Sequence, residues 1–440
     1  MKLDFLRFFD ACDPSRTLVI SRPEDKQYYI DFADVRGGKI IEELERTITL
    51  KAEMNQPTCQ LFTGHIGCGK STELRRLQAK LESQDFHVVY FESTQDLDMM
   101  DVDISDILLA IIRQVSESLE AIGIKLQPGY FTRLFNDISD LLQTPIELSG
   151  EAEFSLPLGL GKITAQTKES PKLRNRLRQY LEPDTNGILE SLNGEVLKPA
   201  MEELNRRGKK GLVVLVDNLD RIDNRPTAFG GRAQLEYLFV ERGEQLRKPD
   251  CHMVYTIPLS LIFAPSSQTL TNRLGGGIPP KTLPMVSVQK RDGSDCEAGL
   301  TLLQRMVMRR AFPEAPKEQH PNLVPLVFDH PETLNSLCKI SGGHVRNLLG
   351  MLYRCLQEKD PPVSRICLER VIHEFRDRQS LAITEDQRVL LKQVDEKQQD
   401  VRGKEGYETL LRSLSVFEYQ DSEGCWFSVN PLLKNILNTL

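Results

Sequence analysis

The run Gly64-His65-Ile66-Gly67-Cys68-Gly69-Lys70-Ser71 constrains this chain more than any other stretch of it. It fits G-x-x-x-x-G-K-[ST] and lies between two segments of opposite character. Thr58–Thr63 reads as a short strand, and Ser71–Leu81 as an amphipathic helix with Leu74, Leu77 and Leu81 at helical spacing. Each residue type has a reason. Glycines let successive backbone N–H groups turn into a phosphate-sized nest, and the helix N-terminus adds its dipole. Lys70 reaches β- and γ-phosphates, Ser71 can ligate magnesium, and Thr72 carries the loop into the helix. Average residue frequencies give about 0.01 such matches by chance in a chain this long.

The elements around the loop set the fold class. His87–Phe91 reads as a second buried strand and Asp103–Ala121 as a long helix. Leu212–Val216 is apolar throughout, as a central parallel strand must be, and His252–Ile257 and Thr282–Val288 complete a set of five. Lys39–Leu50 precedes them as a helix. The expectation is an α/β fold, a P-loop NTPase with a parallel five-stranded sheet. Glu147–Phe154 and Lys162–Thr167 alternate around Pro157-Leu158-Gly159, which predicts a β-hairpin insertion within 124–207, flanked by helices. After Arg291 the character changes: Glu297–Arg310, Glu332–Ile340, His344–Glu358 and Ile366–Arg378 all read as helices. The tail offers two helices (Glu385–Gln399, Glu405–Leu414) and strands Val416–Tyr419 and Trp426–Val429 about a turn, a winged-helix-like order. The predicted organisation is therefore a lead segment 1–48, a core 49–290, a helical lid 291–380 and a small domain 381–440.

Composition narrows the class further. Hydrophobic residues at 40% and charged residues at 27% are globular values and exclude wholesale disorder. The apolar run at Leu212–Val216 is far below the ~20 residues of a membrane helix, and Asp4 and Arg7 interrupt any signal-peptide core. A cytosolic chain without a membrane span is expected. Nine dispersed cysteines with no CxxC pair read as buried thiols, and His65 and His344 lack partners at metal-ligand spacing.

The second chemical motif is Leu212-Val213-Val214-Leu215-Val216-Asp217-Asn218-Leu219-Asp220-Arg221. An acid at the carboxyl end of a buried strand can hold Mg²⁺ beside bound phosphates, so Asp217 and Ser71 are the metal candidates. Asn218 follows, and an amide cannot accept a proton as a carboxylate does. Asp220 is the nearest acid that could line up a water; capping a helix or pairing with Arg221 is its other reading.

Loop, long insertion and a strand ending in DNLDR together resemble the AAA+/STAND branch of P-loop ATPases, with KAP-like features. Further motifs carry the resemblance. Thr256 in Tyr255-Thr256-Ile257-Pro258 matches the sensor 1 position, and Ser341-Gly342-Gly343-His344-Val345-Arg346 resembles the GG-x-x-R motif that opens a lid helix. The resemblance implies ATP and Mg²⁺ as cofactors and Arg346 as a sensor of the γ-phosphate. It implies contacts with nucleotide by Arg36 and by loop residues 64–72, and slow ATP hydrolysis. Arg273 stands where such assemblies place an arginine finger; a solvated loop arginine is the alternative. The implied output is a conformational or oligomerisation switch engaging further copies of the chain or a separately encoded partner, in a setting such as bacterial signalling or anti-phage defence.

A DNA-handling ATPase similar to origin-recognition or transposition-regulator proteins is the rival reading. Lys172, Arg174, Arg176 and Arg178 form either a phosphate-binding stripe or a solvated helix face, as do Arg206, Arg207, Lys209 and Lys210. From Glu385 to Leu440 ten acids oppose seven bases, and a DNA-reading module should be basic, so the tail is read as a protein-contact module.

Overall fold

The computed structural model describes residues 2–126, 129–142, 156–226, 233–397 and 406–437. By contact the chain divides into two units: 42–63 with 77–281, and 1–41 with 64–76 and 282–440. The glycine loop thus counts with the C-terminal half of the chain. Among the described residues no helix is long and apolar enough to cross a membrane.

Five strands form the sheet: β1 (Cys59–Gly64), β2 (Phe86–Glu92), β3 (Gly211–Asp217), β4 (His252–Thr256) and β5 (Lys281–Leu283), in spatial order β2-β3-β4-β1-β5. The pairs β2–β3, β3–β4 and β4–β1 are parallel, with Glu92 opposite Asp217, Val216 opposite Tyr255 and Phe62 opposite Thr256. Parallel strands need crossovers, and the helices supply them. Every residue of β3 is buried, which is why it reads as an unbroken apolar run. The same core cluster includes Ile107, Ile111, Leu197 and Leu204 from helices that precede it in sequence.

Helix Ile104–Ala121 starts at a capping box: Asp103 accepts from Ile104 N–H, and Asp106 accepts from Asp103 N–H at 2.9 Å. Against it packs helix Leu156–Glu169, where a strand was expected over Lys162–Thr167. Leu156, Leu160, Ile163 and Thr167 are its buried positions, a helical spacing that overrides the local alternation. Pro157 sits in its first turn, where a missing N–H costs nothing. The other half of the expected hairpin, Glu147–Phe154, lies outside the described residues.

The next helix, Pro171–Leu181, settles one charge run. Arg174 pairs with Asp98 (2.9 Å) and Asp101 (3.0 Å), and Arg178 with Asp101 and Asp106. Arg178 also donates to the Asp101 carbonyl. Two of the four cations in the supposed stripe are therefore internal, closing the Asp96–Asp106 loop onto the insertion; Lys172 and Arg176 face solvent.

In the other unit, helices Glu297–Ala311, Pro331–Ile340, Val345–Glu358 and Arg365–Leu381 share a core built on Leu303, Val307, Leu337, Leu352 and Leu368. The N-terminal segment joins it through Phe8, Ile30 and Phe32. Of Thr282–Val288 only the first residues form strand. Met285 N–H instead meets the Glu418 carbonyl (3.0 Å), and Ser287 N–H the Val35 carbonyl (3.3 Å). The tail holds helices Glu385–Lys397 and Tyr407–Arg412 and an antiparallel pair, β6 (Val416–Asp421) and β7 (Gly424–Val429). Trp426 stacks on its cross-strand partner Tyr419 at 4.6 Å, which makes it a packing residue.

Candidate functional site

Three glycines shape the loop that follows β1. Gly64, Gly67 and Gly69 have φ of 150°, 88° and 110°, a region side chains avoid. At Gly64 the space is closed as well: an added Cβ would lie 2.5 Å from the Leu283 carbonyl oxygen. Helix Lys70–Glu82 begins at once, so its first N–H groups have no intrahelical acceptor and face the loop. Lys70, only 5% exposed, folds its Nζ back onto the Gly64 and His65 carbonyls at 2.8 Å each. The residues present fit a polyphosphate: a glycine-shaped loop running into a helix N-terminus, with one buried ammonium held at its rim.

Arg36 is buried. Its Nη2 donates to the Cys68 carbonyl at 2.7 Å, and its guanidinium lies 5.2 Å from the centre of the Phe32 ring. Arg36 thereby fixes the loop backbone from outside. One turn along the helix, Glu73 accepts from Tyr29 Oη at 3.0 Å and pairs with Arg76 at 3.3 Å. Burial raises the Glu73 carboxyl above its ordinary value, although Arg36, Arg76 and Tyr29 oppose it.

The loop is held on its other side by the segment that opens helix Val345–Glu358. His344 caps that helix: its Nδ1 accepts from Asn347 N–H at 3.0 Å. This places the ring proton on Nε2, which donates to the Ile66 carbonyl at 2.7 Å. Arg346 N–H donates to the Gly67 carbonyl at 3.2 Å. The close approach needs Gly67, where a Cβ would meet His344 Cε1 at 2.7 Å and Arg346 Cβ at 3.0 Å. His65 belongs to the same cluster, its Nε2 accepting from Glu418 N–H of β6 at 2.9 Å. Phe417 lies between the two imidazoles, stacked on His344 and edge-on to His65 at 5.8 Å each. The sequence offered His65 only as a loop residue; nothing local announces a partner 353 positions away.

Both rings are buried and held neutral. Burial first, then the charges of His344 and Lys70, push His65 down to about 3. Burial pushes His344 down to about 4; the Ile66 carbonyl opposes this, and Arg346, Lys70 and Arg36 add to it. In the unfolded chain both titrate near 6.5. Above that pH neither state binds the proton and stability is unaffected. As pH falls from 6.5 toward 4 and 3, the unfolded chain takes up protons the fold refuses, so stability falls. The expected slope reaches about 1.4 kcal/mol per pH unit for each histidine. Urea midpoints measured between about pH 7 and pH 5 check it, with shallower slopes in His65→Gln and His344→Gln.

The sheet brings a second group together at its carboxyl edge. Asp217 closes β3 and is 1% exposed; its Oδ2 accepts from Tyr90 Oη and its Oδ1 from Asn218 N–H, both at 2.7 Å. A buried carboxylate at a strand end is the residue type that holds a hard cation, directly or through its waters. Asn218 adopts the left-handed conformation at φ 67° and donates from Nδ2 to Glu92 Oε2 at 3.2 Å. Thr256, at the end of β4, is committed to this turn. Its Oγ1 accepts from Leu219 N–H (3.1 Å) and donates to the Val216 carbonyl (3.3 Å), so it shapes the segment after Asp217. Asp220 is buried in the short turn Leu219–Arg221. Arg273 ends helix Ser267–Arg273 and donates to the Val240 and Glu241 carbonyls, bonded there and to none of the other candidates. Glu92 is the functional candidate that sequence reasoning missed.

No family model matches the chain, and no curated protein matches it. Solved structures similar to it include Drosophila ORC bound to DNA, at 10% identity over 100% of this chain and 92% of that one, with a TM-score of 0.40. The ORC2 protein of Aeropyrum pernix, in ADPNP–ADP complexes, is 11% identical over 99% of this chain and 98% of its own, with a TM-score of 0.41. Cdc6p from Pyrobaculum aerophilum is 13% identical over 94% and 96%, with a TM-score of 0.34. At these scores the likenesses stand beside the strand order and loop geometry and add no weight to them.

Proposed function

We propose that the chain binds ATP with Mg²⁺ on residues 64–72 and works as a nucleotide-dependent switch that hydrolyses ATP slowly. One observation carries the reading. The loop main chain is bonded to the start of helix Val345–Glu358, at Ile66–His344 and Gly67–Arg346, so a ligand that reshapes the loop strains that helix directly. In this reading Lys70 contacts the β- and γ-phosphates, Ser71 and Asp217 hold the magnesium, and Arg346 reports the γ-phosphate. Arg36 and Thr256 act as positioning residues, on the bonds described above. The output is assembly with further copies of the chain or docking of a separate protein. Light scattering tests it: the wild-type mass with ATP should differ from that with ADP, and Lys70→Ala and Arg346→Ala should abolish the difference. An unchanged wild type, or variants that respond like it, would contradict the switch.

A second reading, a DNA-handling ATPase, draws on a different feature. A recess of about 580 Å³ in the C-terminal half is lined by Lys339, Arg365, Arg376 and Lys434, with Asp295 and Glu369 beside two of them. Duplex binding that weakens steeply with salt and strengthens with ATP would favour it; no binding at low salt would remove it.

A further inference from the structure

The sequence places an amide, Asn218, directly after the strand-end acid, and an amide cannot take a proton from water. The fold supplies a carboxylate at that point from another strand. Glu92 closes β2 and stands in register with Asp217, which closes β3. Register partners in parallel strands share a sheet face, and Tyr90, two residues earlier on that face, reaches Asp217 with its hydroxyl at 2.7 Å. Asn218 then spends its amide on Glu92 Oε2 at 3.2 Å, while its own N–H holds Asp217 Oδ1. Glu92 is half-buried and, among the described residues, is in no ion pair. A carboxylate aimed by an amide, uncompensated by a cation and standing beside the metal candidate has the form of a general base with its orienting partner. Asp220 lacks that register: it sits past the left-handed residue, in the following turn.

We propose that Glu92 is the proton acceptor for the water that attacks the γ-phosphate, with Asn218 as its positioning residue. The assignment rests on the reading of the chain as an ATPase. In the step, the water oxygen forms a bond to the γ-phosphorus as the bond from that phosphorus to the bridging oxygen breaks. One water proton passes to Glu92 and the other stays on the phosphate. ADP leaves with the bridging electron pair, and Glu92 returns its proton to solvent. No oxidant, reductant or further co-reactant is needed.

The test compares wild type, Glu92→Gln and Asp220→Asn for ATP affinity by calorimetry and for turnover by phosphate release. Glutamine keeps an oxygen for the Asn218 amide, so ATP binding should stay within about threefold while turnover falls at least about 100-fold. Asp220→Asn is the rival variant: a fall in its turnover as large as that of Glu92→Gln, with ATP binding kept, would give the proton to Asp220 and overturn the assignment. A smaller fall in Glu92→Gln, or a joint loss of binding and turnover, overturns the role of Glu92 and leaves the ATPase reading standing. Wild-type protein that binds ATP without turnover overturns the assignment together with hydrolysis. Wild-type protein that binds no ATP overturns the nucleotide reading itself.

Discussion

Lys70→Ala is expected to bind ATP about 100-fold more weakly than the wild type, a loss of about 2.8 kcal/mol. The magnitude follows from what the ammonium does. Lys70 is 5% exposed and its Nζ is held by two loop carbonyls at 2.8 Å, so it meets a phosphate already desolvated and oriented. A charge-assisted hydrogen bond contributes about 1.5–3 kcal/mol, and the alanine loses it along with the positive charge. The variant also leaves the Gly64 and His65 carbonyls without their donor, so the loop relaxes as well as losing its cation. Lys70→Met keeps the volume of the stem and separates the two effects. Both variants should lose affinity, and calorimetry with MgATP checks it.

Gly343→Ala is expected to destabilise the C-terminal half by more than about 4 kcal/mol, at the far end of what single substitutions do. Gly343 has a φ of 77°, and an added Cβ would sit 1.8 Å from the Val286 carbonyl oxygen and 2.7 Å from its carbon. Both obstacles are backbone, so no side chain can swing aside. Displacing that segment would also pull His344 and Arg346 off the loop, and nucleotide affinity should fall with stability. Gly424→Ala is the control: its φ is 110° but nothing lies within 4 Å of the added carbon. Strain alone should cost it about 1–3 kcal/mol. Urea unfolding of the two variants at neutral pH makes the comparison. A Gly343→Ala cost equal to that of Gly424→Ala would show that the contact with Val286 is not what the motif needs.

Much of the sheet was legible from the chain because its signals are local. An apolar run closing in Asp217 and a glycine loop between strand and helix each declare themselves within ten residues. Where the reading failed, the deciding partner was distant. Lys162–Thr167 alternates, yet Leu156, Leu160 and Ile163 bury one helical face against helix Ile104–Ala121. Met285–Val288 is apolar enough for a strand, but its N–H groups go to carbonyls of residues 35 and 418. Arg174 and Arg178 look like a solvated stripe until Asp98, Asp101 and Asp106, some 70 residues earlier, fold over them.

The candidate site shows the same division. Glycine spacing marks residues 64–71, and the strand end marks Asp217. The clamp of His344 on Ile66, the pairing of His65 with Glu418 and the approach of Glu92 to Asn218 are tertiary, and a strand-end glutamate is too common to stand out. Thr256 was singled out by its place at a strand tip. Its geometry gives it to the backbone of Val216 and Leu219, a role that spacing alone does not disclose.

Titration calorimetry of the intact wild-type protein with MgATP decides most directly whether residues 64–72 are a triphosphate site. Saturable one-to-one binding is expected, shared by ADP, weakened by about two orders of magnitude in Lys70→Ala and not reproduced by AMP. No heat of binding with ATP or GTP, or equal binding by wild type and Lys70→Ala, would contradict it.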